Sequence, residues 1–147
     1  MRPDRGGLFI DALTFCLVVV LALSVVLTPA WAEEAERYNR EGAGYFNNGD
    51  YDAALASFKE AIRLKPDNWK AHYNLGATSV KKGQWDASID SFKEAVRLEP
   101  DVASGHFALG EAYAKKGDRG KALAEYEWLR NRKPDWAKEL LAKIPPK

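Results

Sequence analysis

The chain has 147 residues, 46% of them hydrophobic and 29% charged, a globular balance that excludes a disordered polypeptide. That length suits a single domain. The formal net charge of +1 removes any bulk electrostatic argument for nucleic acid as a partner.

The N-terminal stretch differs in kind from the rest. Arg2 and Arg5 precede a nearly continuous apolar run from Ala12 to Leu27, then Pro29 and the triplet Ala30-Trp31-Ala32. A basic start, an apolar middle and small residues either side of one position read as a secretory signal peptide over 1–32, cut after Ala32. The alternative is a retained membrane anchor. Leu8 to Leu27 supplies twenty residues, and a bilayer crossing takes ~20. Asp11 lies inside that stretch and shortens its clean apolar length. Both readings export residues 33–147, to a bacterial periplasm or another extracytoplasmic space. The second adds a tether through residues 8–27. Cys16 is the single cysteine, so cleavage leaves a chain without disulfide or thiol chemistry.

Beyond residue 33 the sequence repeats itself. SFKEAIRLKPDN at 57–68 and SFKEAVRLEPDV at 91–102 share nine of twelve letters, thirty-four residues apart. The same shift aligns three blocks: 35–68, 69–102 and 103–136. Gly42, Gly76 and Gly110 fall in one slot, Gly49, Gly83 and Gly117 in a second, and Pro66, Pro100 and Pro134 in a third. A fixed period of this size marks a solenoid.

Each block divides into two helices. In the second block the spacing predicts one helix over Ala71 to Lys82 and another over Trp85 to Leu98. Gly83 ends the first by accepting a left-handed backbone, and Pro100 stops the second. Asp67, Asp101 and Asp135 are expected to cap the helices that follow. Glycine inside a helix costs ~1 kcal/mol against alanine. Its recurrence at Gly42, Gly76 and Gly110 implies helices approaching too closely for a side chain. After the third block, Leu140, Leu141 and Ile144 recur at helical spacing, which predicts a capping helix over 137–144.

These residues resemble the tetratricopeptide repeat, whose unit runs aromatic, Leu-Gly, Tyr, Ala, aromatic, Pro over 34 residues. The third block matches through His106, Leu109, Gly110, Tyr113, Ala122, Tyr126 and Pro134. The second matches through His72, Leu75, Gly76, Phe92 and Pro100, with Ser79 and Ser88 as departures. The first matches through Tyr38, Gly42, Tyr45, Ala54, Phe58 and Pro66, with Glu41 where leucine is usual. The resemblance implies an all-α solenoid of three helix-turn-helix units over residues 33–147, serving as a non-catalytic protein-binding scaffold.

No catalytic site is legible. His72 and His106 share the slot of Tyr38, so their expected duty is packing, and helices a repeat apart hold two imidazoles too far apart for one zinc. Gly120-Lys121 lacks the first glycine and the hydroxyl of a phosphate loop. The acids lie among lysines on helix faces, as solvated ion pairs. No cofactor is implied.

The resemblance also implies a concave groove lined by the first helix of each pair. Counting off the core slots leaves Glu36, Asn39, Ala43 and Asn47, then Lys70, Tyr73, Asn74, Ala77 and Lys81, then Ser104, Phe107, Ala108, Glu111 and Lys115. Of these, Asn39, Asn47, Lys70, Tyr73, Asn74, Lys81, Phe107, Glu111 and Lys115 are the candidate contacts for a peptide or helix. Members that grip the C-terminal carboxylate of heat-shock chaperones place lysines, an arginine and asparagines at fixed groove slots. Only Asn74 agrees; Asn39, Ala43, Ser104 and Ala108 occupy the others.

Two alternatives rest on other features. Net charge runs from −3 over 33–68, through zero over 69–102, to +4 over 103–147, a gradient suited to head-to-tail self-association. Trp69, Trp128 and Trp136 suggest a small-molecule or cell-wall-binding accessory to an envelope enzyme.

Overall fold

The computed structural model describes residues 29–146. The expected signal peptide or anchor lies outside them, apart from its closing residues. Seven helices follow: α1 Ala30–Asn47, α2 Tyr51–Leu64, α3 Trp69–Lys81, α4 Trp85–Leu98, α5 Ala103–Lys116, α6 Arg119–Arg130 and α7 Pro134–Lys143. Among the described residues there is no strand, and no helix is long and apolar enough to cross a membrane.

Local chemistry sets the turns. Gly49, Gly83 and Gly117 adopt φ of 82°, 70° and 85°, the left-handed region that glycine enters without a Cβ penalty. The next residue starts the second helix of each pair. Asp50 accepts from the Ala53 amide at 3.1 Å and Asp118 from the Lys121 amide at 3.2 Å, each satisfying an otherwise orphaned donor. Gln84 holds the same backbone conformation but makes no side-chain cap.

The expected aspartate caps on the other helices are not formed. Asp67 and Asp101 sit in the turn, one residue before the N-cap positions Asn68 and Val102. Asn68 caps Ala71 instead, and Val102 has no side-chain oxygen to offer. Asp135 is already inside the first turn of α7, whose N-cap is Lys133. There its charge favours the positive end of the helix. The capping helix also begins three residues earlier than expected. Pro134 occupies its first turn, where a fixed φ and a missing N–H cost nothing. Here proline opens a helix, whereas Pro66 and Pro100 follow one.

From α2 onward each helix packs on its neighbour in sequence, and α3, α5 and α7 also touch in turn; α1 meets α2 where Gly42 faces the Phe58 ring. The glycine slot sets how closely. A Cβ on Gly42 would lie 2.8 Å from the Phe58 ring, and one on Gly76 would lie 2.7 Å from Phe92. In the third pair the intruding group is Leu140 of α7, 2.5 Å from a Cβ on Gly110. Tyr126 there is only half-buried, while Leu129 is fully buried in the slot of Ala61 and Ala95. Phe58, Leu129 and Leu140 are the largest fully buried side chains. Thr78 and Ser79 are buried too, their hydroxyls donating to the carbonyls of Asn74 and Leu75.

Ion pairs run along the outside at the repeat period. Lys82 pairs with Asp52 and Lys116 with Asp86, the same two slots each time. Exposed pairs of this kind contribute ~0–1 kcal/mol. The corresponding end positions are Asn48 and Gly120, so the ladder stops with the three repeats.

Two substitutions separate crowding from propensity. Gly76→Ala should lower stability by about 1–2 kcal/mol, because overpacking against the buried Phe92 ring exceeds the gain in helix propensity. Gly44→Ala, which meets nothing within 4 Å, should raise stability by up to ~1 kcal/mol. Gln84→Asp should add ~1 kcal/mol by supplying the absent cap. Urea-unfolding midpoints check all three.

Candidate functional site: a groove on the first helices

The first helices of the pairs, α1, α3 and α5, together with α7 and with side chains reaching in from α2 and α4, line three adjoining hollows. The central one, of about 230 Å³, is walled by Phe46, Tyr73, Val80, Trp85 and Phe92, with Lys81, Glu111 and Lys115 at its polar edge and Ala77, Ala108 and Ala112 at its base. A second, of about 240 Å³, shares Phe46 and Ala77 and adds Ala43, Asn47, Phe58 and Asn74. A third, of about 320 Å³, shares Tyr73 and adds Ser104, Phe107, Trp136 and Glu139. The alanines keep the trough open, since a larger side chain in their slots would fill it.

The structure sorts the candidate contacts. Tyr73, Lys81, Glu111 and Lys115 meet in the central hollow. Asn47 and Asn74 line the second, and Phe107 lines the third. Asn39 and Asn74 face each other, the Asn74 amide donating to Asn39 Oδ1 at 3.1 Å. Together with Asn68, the N-cap of α3, which donates to Glu36 at 3.2 Å, they tie α1 to α3. Lys70 lines none of the three hollows; its ammonium lies 5.9 Å from the Trp69 ring. Phe107 and Glu111 are engaged by the capping helix. Trp136 packs edge-on to Phe107 at 5.7 Å, Lys143 sits 4.8 Å from the Phe107 ring, and Lys143 pairs with both Glu111 and Glu139.

Counting one face of each helix missed Phe46, Val80 and Trp85. Phe46 and Val80 occupy one repeat slot, a recurrence that could have exposed them. Tyr73 is half-buried against Phe92, ring centroids 5.5 Å apart. Burial, and then the nearby Glu111 charge, push its hydroxyl pKa up, so it remains a proton donor facing the groove.

A family model of the tetratricopeptide repeat matches residues 42–83 and 79–117. The chain belongs to that family. The photosystem I assembly protein Ycf3 of Zygnema circumcarinatum is 36% identical over 74 residues. That match covers 50% of this chain and 44% of Ycf3, so the chain spans less than half the length of that relative. Among solved structures, the OM64 tetratricopeptide domain of Arabidopsis superposes with a TM-score of 0.73 at 16% identity, covering 78% of this chain and 97% of that domain. The first such domain of Spaghetti (RPAP3), solved with an HSP90 peptide, gives 0.73 at 21% identity, covering 77% and 91%. At these identities the superpositions speak for the fold.

Within this tetratricopeptide frame the histidine slot holds structure together. Nε2 of His72 donates to the Pro66 carbonyl at 3.0 Å, and Nε2 of His106 to the Pro100 carbonyl at 2.9 Å. His106 does more. It is 7% exposed, its Nδ1 lies 2.7 Å from Glu125, and its ring stacks on Trp128 at 3.6 Å and 13°. Arg132 lies 4.3 Å from the same indole. Trp128 is therefore a packing residue, whereas Trp136 is 40% exposed. His106→Ala should lower stability by about 2–4 kcal/mol, because it strands a largely buried carboxylate and bares the indole. His72→Ala removes one hydrogen bond and should cost ~1 kcal/mol. Equal losses in urea unfolding would contradict these roles.

Proposed function

We propose that the chain is a non-catalytic interaction adaptor that holds a peptide or helix of a partner protein in the trough formed by α1, α3 and α5. The observation that carries this reading is the continuity of the three hollows through Phe46, Ala77 and Tyr73. Aromatic walls and few fixed polar groups suit a side-chain-led docking mode. The Spaghetti domain is bound to a peptide in its solved complex, and the Ycf3 relative is an assembly protein; both roles fit an adaptor. Here, however, Asn74 is the one chaperone-clamp residue present and already serves Asn39, so the partner is not of that class. Export remains part of the proposal, on the order of residues in 1–32 alone. The affinity should be micromolar, ~8 kcal/mol.

Two substitutions test the trough. Ala77→Arg fills the junction of the two hollows, and Tyr73→Ala removes the wall between the central and third ones. Each should reduce capture of envelope proteins about tenfold or more, with helicity by circular dichroism retained. Lys93→Ala, exposed and lining none of the three hollows, is the control. Capture that survives both groove variants would place the working surface elsewhere. N-terminal sequencing of the exported protein checks the cut, which should leave Glu33 first.

A further inference from the structure

Charge in the groove is distributed unequally. Its acids, Glu111 and Glu139, are both paired with one cation, Lys143, which α7 swings back over α5. Its other cations, Lys81 and Lys115, form no ion pair among the described residues. They stand in the same slot of successive repeats, at the C-terminal ends of α3 and α5, and both are exposed at the edge of the central hollow. The same hollow has an apolar lining that includes Phe46, Tyr73 and Trp85. The place of each lysine in the last turn of a helix also complements its dipole.

We infer that the central hollow takes an apolar side chain of a partner segment while Lys81 and Lys115 bind carboxylates flanking it. The ligand class is thus an acidic peptide with an aromatic or large aliphatic residue at its centre. This deepens the adaptor reading and rests on it. Lys143 contributes without touching the ligand in the hollow: by neutralising Glu111 it removes the one negative charge that would repel an acidic segment there.

The test uses the exported protein from Glu33 to Lys147 and three fluorescein-labelled nine-residue peptides, read by anisotropy. One has a central Phe-Leu flanked by glutamates, the second has the glutamates replaced by lysines, and the third keeps the glutamates around a central Ser-Ser. The first should bind at least about tenfold more tightly than either of the others. Lys81→Gln with Lys115→Gln should weaken it about tenfold, and Lys143→Gln about threefold. Raising salt from about 50 to 500 mM should weaken it severalfold, by shortening the screening length. All these positions are exposed, so folding is not at stake. Equal binding of the glutamate and lysine peptides, still abolished by Ala77→Arg, would overturn the charge inference and leave the groove reading standing. Binding of the first peptide that survives Ala77→Arg would overturn both. No binding of the first peptide at millimolar concentration would overturn the inference, with the groove reading then decided by the capture experiment alone.

Discussion

The contact on which the rest depends is the seating of a bulky side chain against a helix that carries no Cβ. Phe58 fills the space above Gly42 and Phe92 the space above Gly76. Without those two glycines the paired helices would separate, and the face that α1, α3 and α5 share would lose its geometry. In the third unit the filler is borrowed: Leu140 of α7 closes over Gly110. A unit that cannot bury its own apolar flank must take cover from a neighbour, and here the last unit takes it from the end of the chain. The same helix brings Trp136 and Lys143 to the groove, so one element both completes the core and edits the binding face.

Polar groups follow a consistent division. Those facing between helices are satisfied by short, specific bonds, as with Thr78, Ser79 and the histidines. Unbonded buried polar groups are costly, and none is found among the described side chains. In the groove, Asn74 is bonded to Asn39, and Glu111 and Glu139 to Lys143, while other polar groups are less committed. Tyr73 keeps its hydroxyl proton, and Lys81 and Lys115 stand exposed at the edge of the central hollow, which leaves a surface able to answer a ligand.

The period of the sequence made the architecture legible, because glycine and proline at fixed intervals have backbone meanings that no packing can override. The three left-handed glycines and the three crowded ones could be read in that way. What could not be read were choices between near neighbours. Asp67 and Asn68 are both good capping residues, and only the length of the turn decides for Asn68. Pro134 repeats Pro66 and Pro100 as a letter but opens a helix, since the preceding α6 is two residues shorter than α4. In the groove, the helical face identified Tyr73, Lys81 and Lys115. It could not show that Phe107 and Glu111 are engaged by α7, or that Asn39 and Asn74 satisfy each other, because those contacts join residues twenty-nine or more positions apart.

The lysine–aspartate ladder on the outer surface has a bearing on how the molecule could be lengthened. Its register is complete within the chain and blank at both margins, where Asn48 and Gly120 stand. A duplicate of residues 69–102 spliced behind the original would find a matching rung at each new junction. A further copy joined to either extremity would find none. The array is thus permissive to growth from its middle and mute at its tips, a polarity that keeps separate molecules from continuing one another's stack by this route.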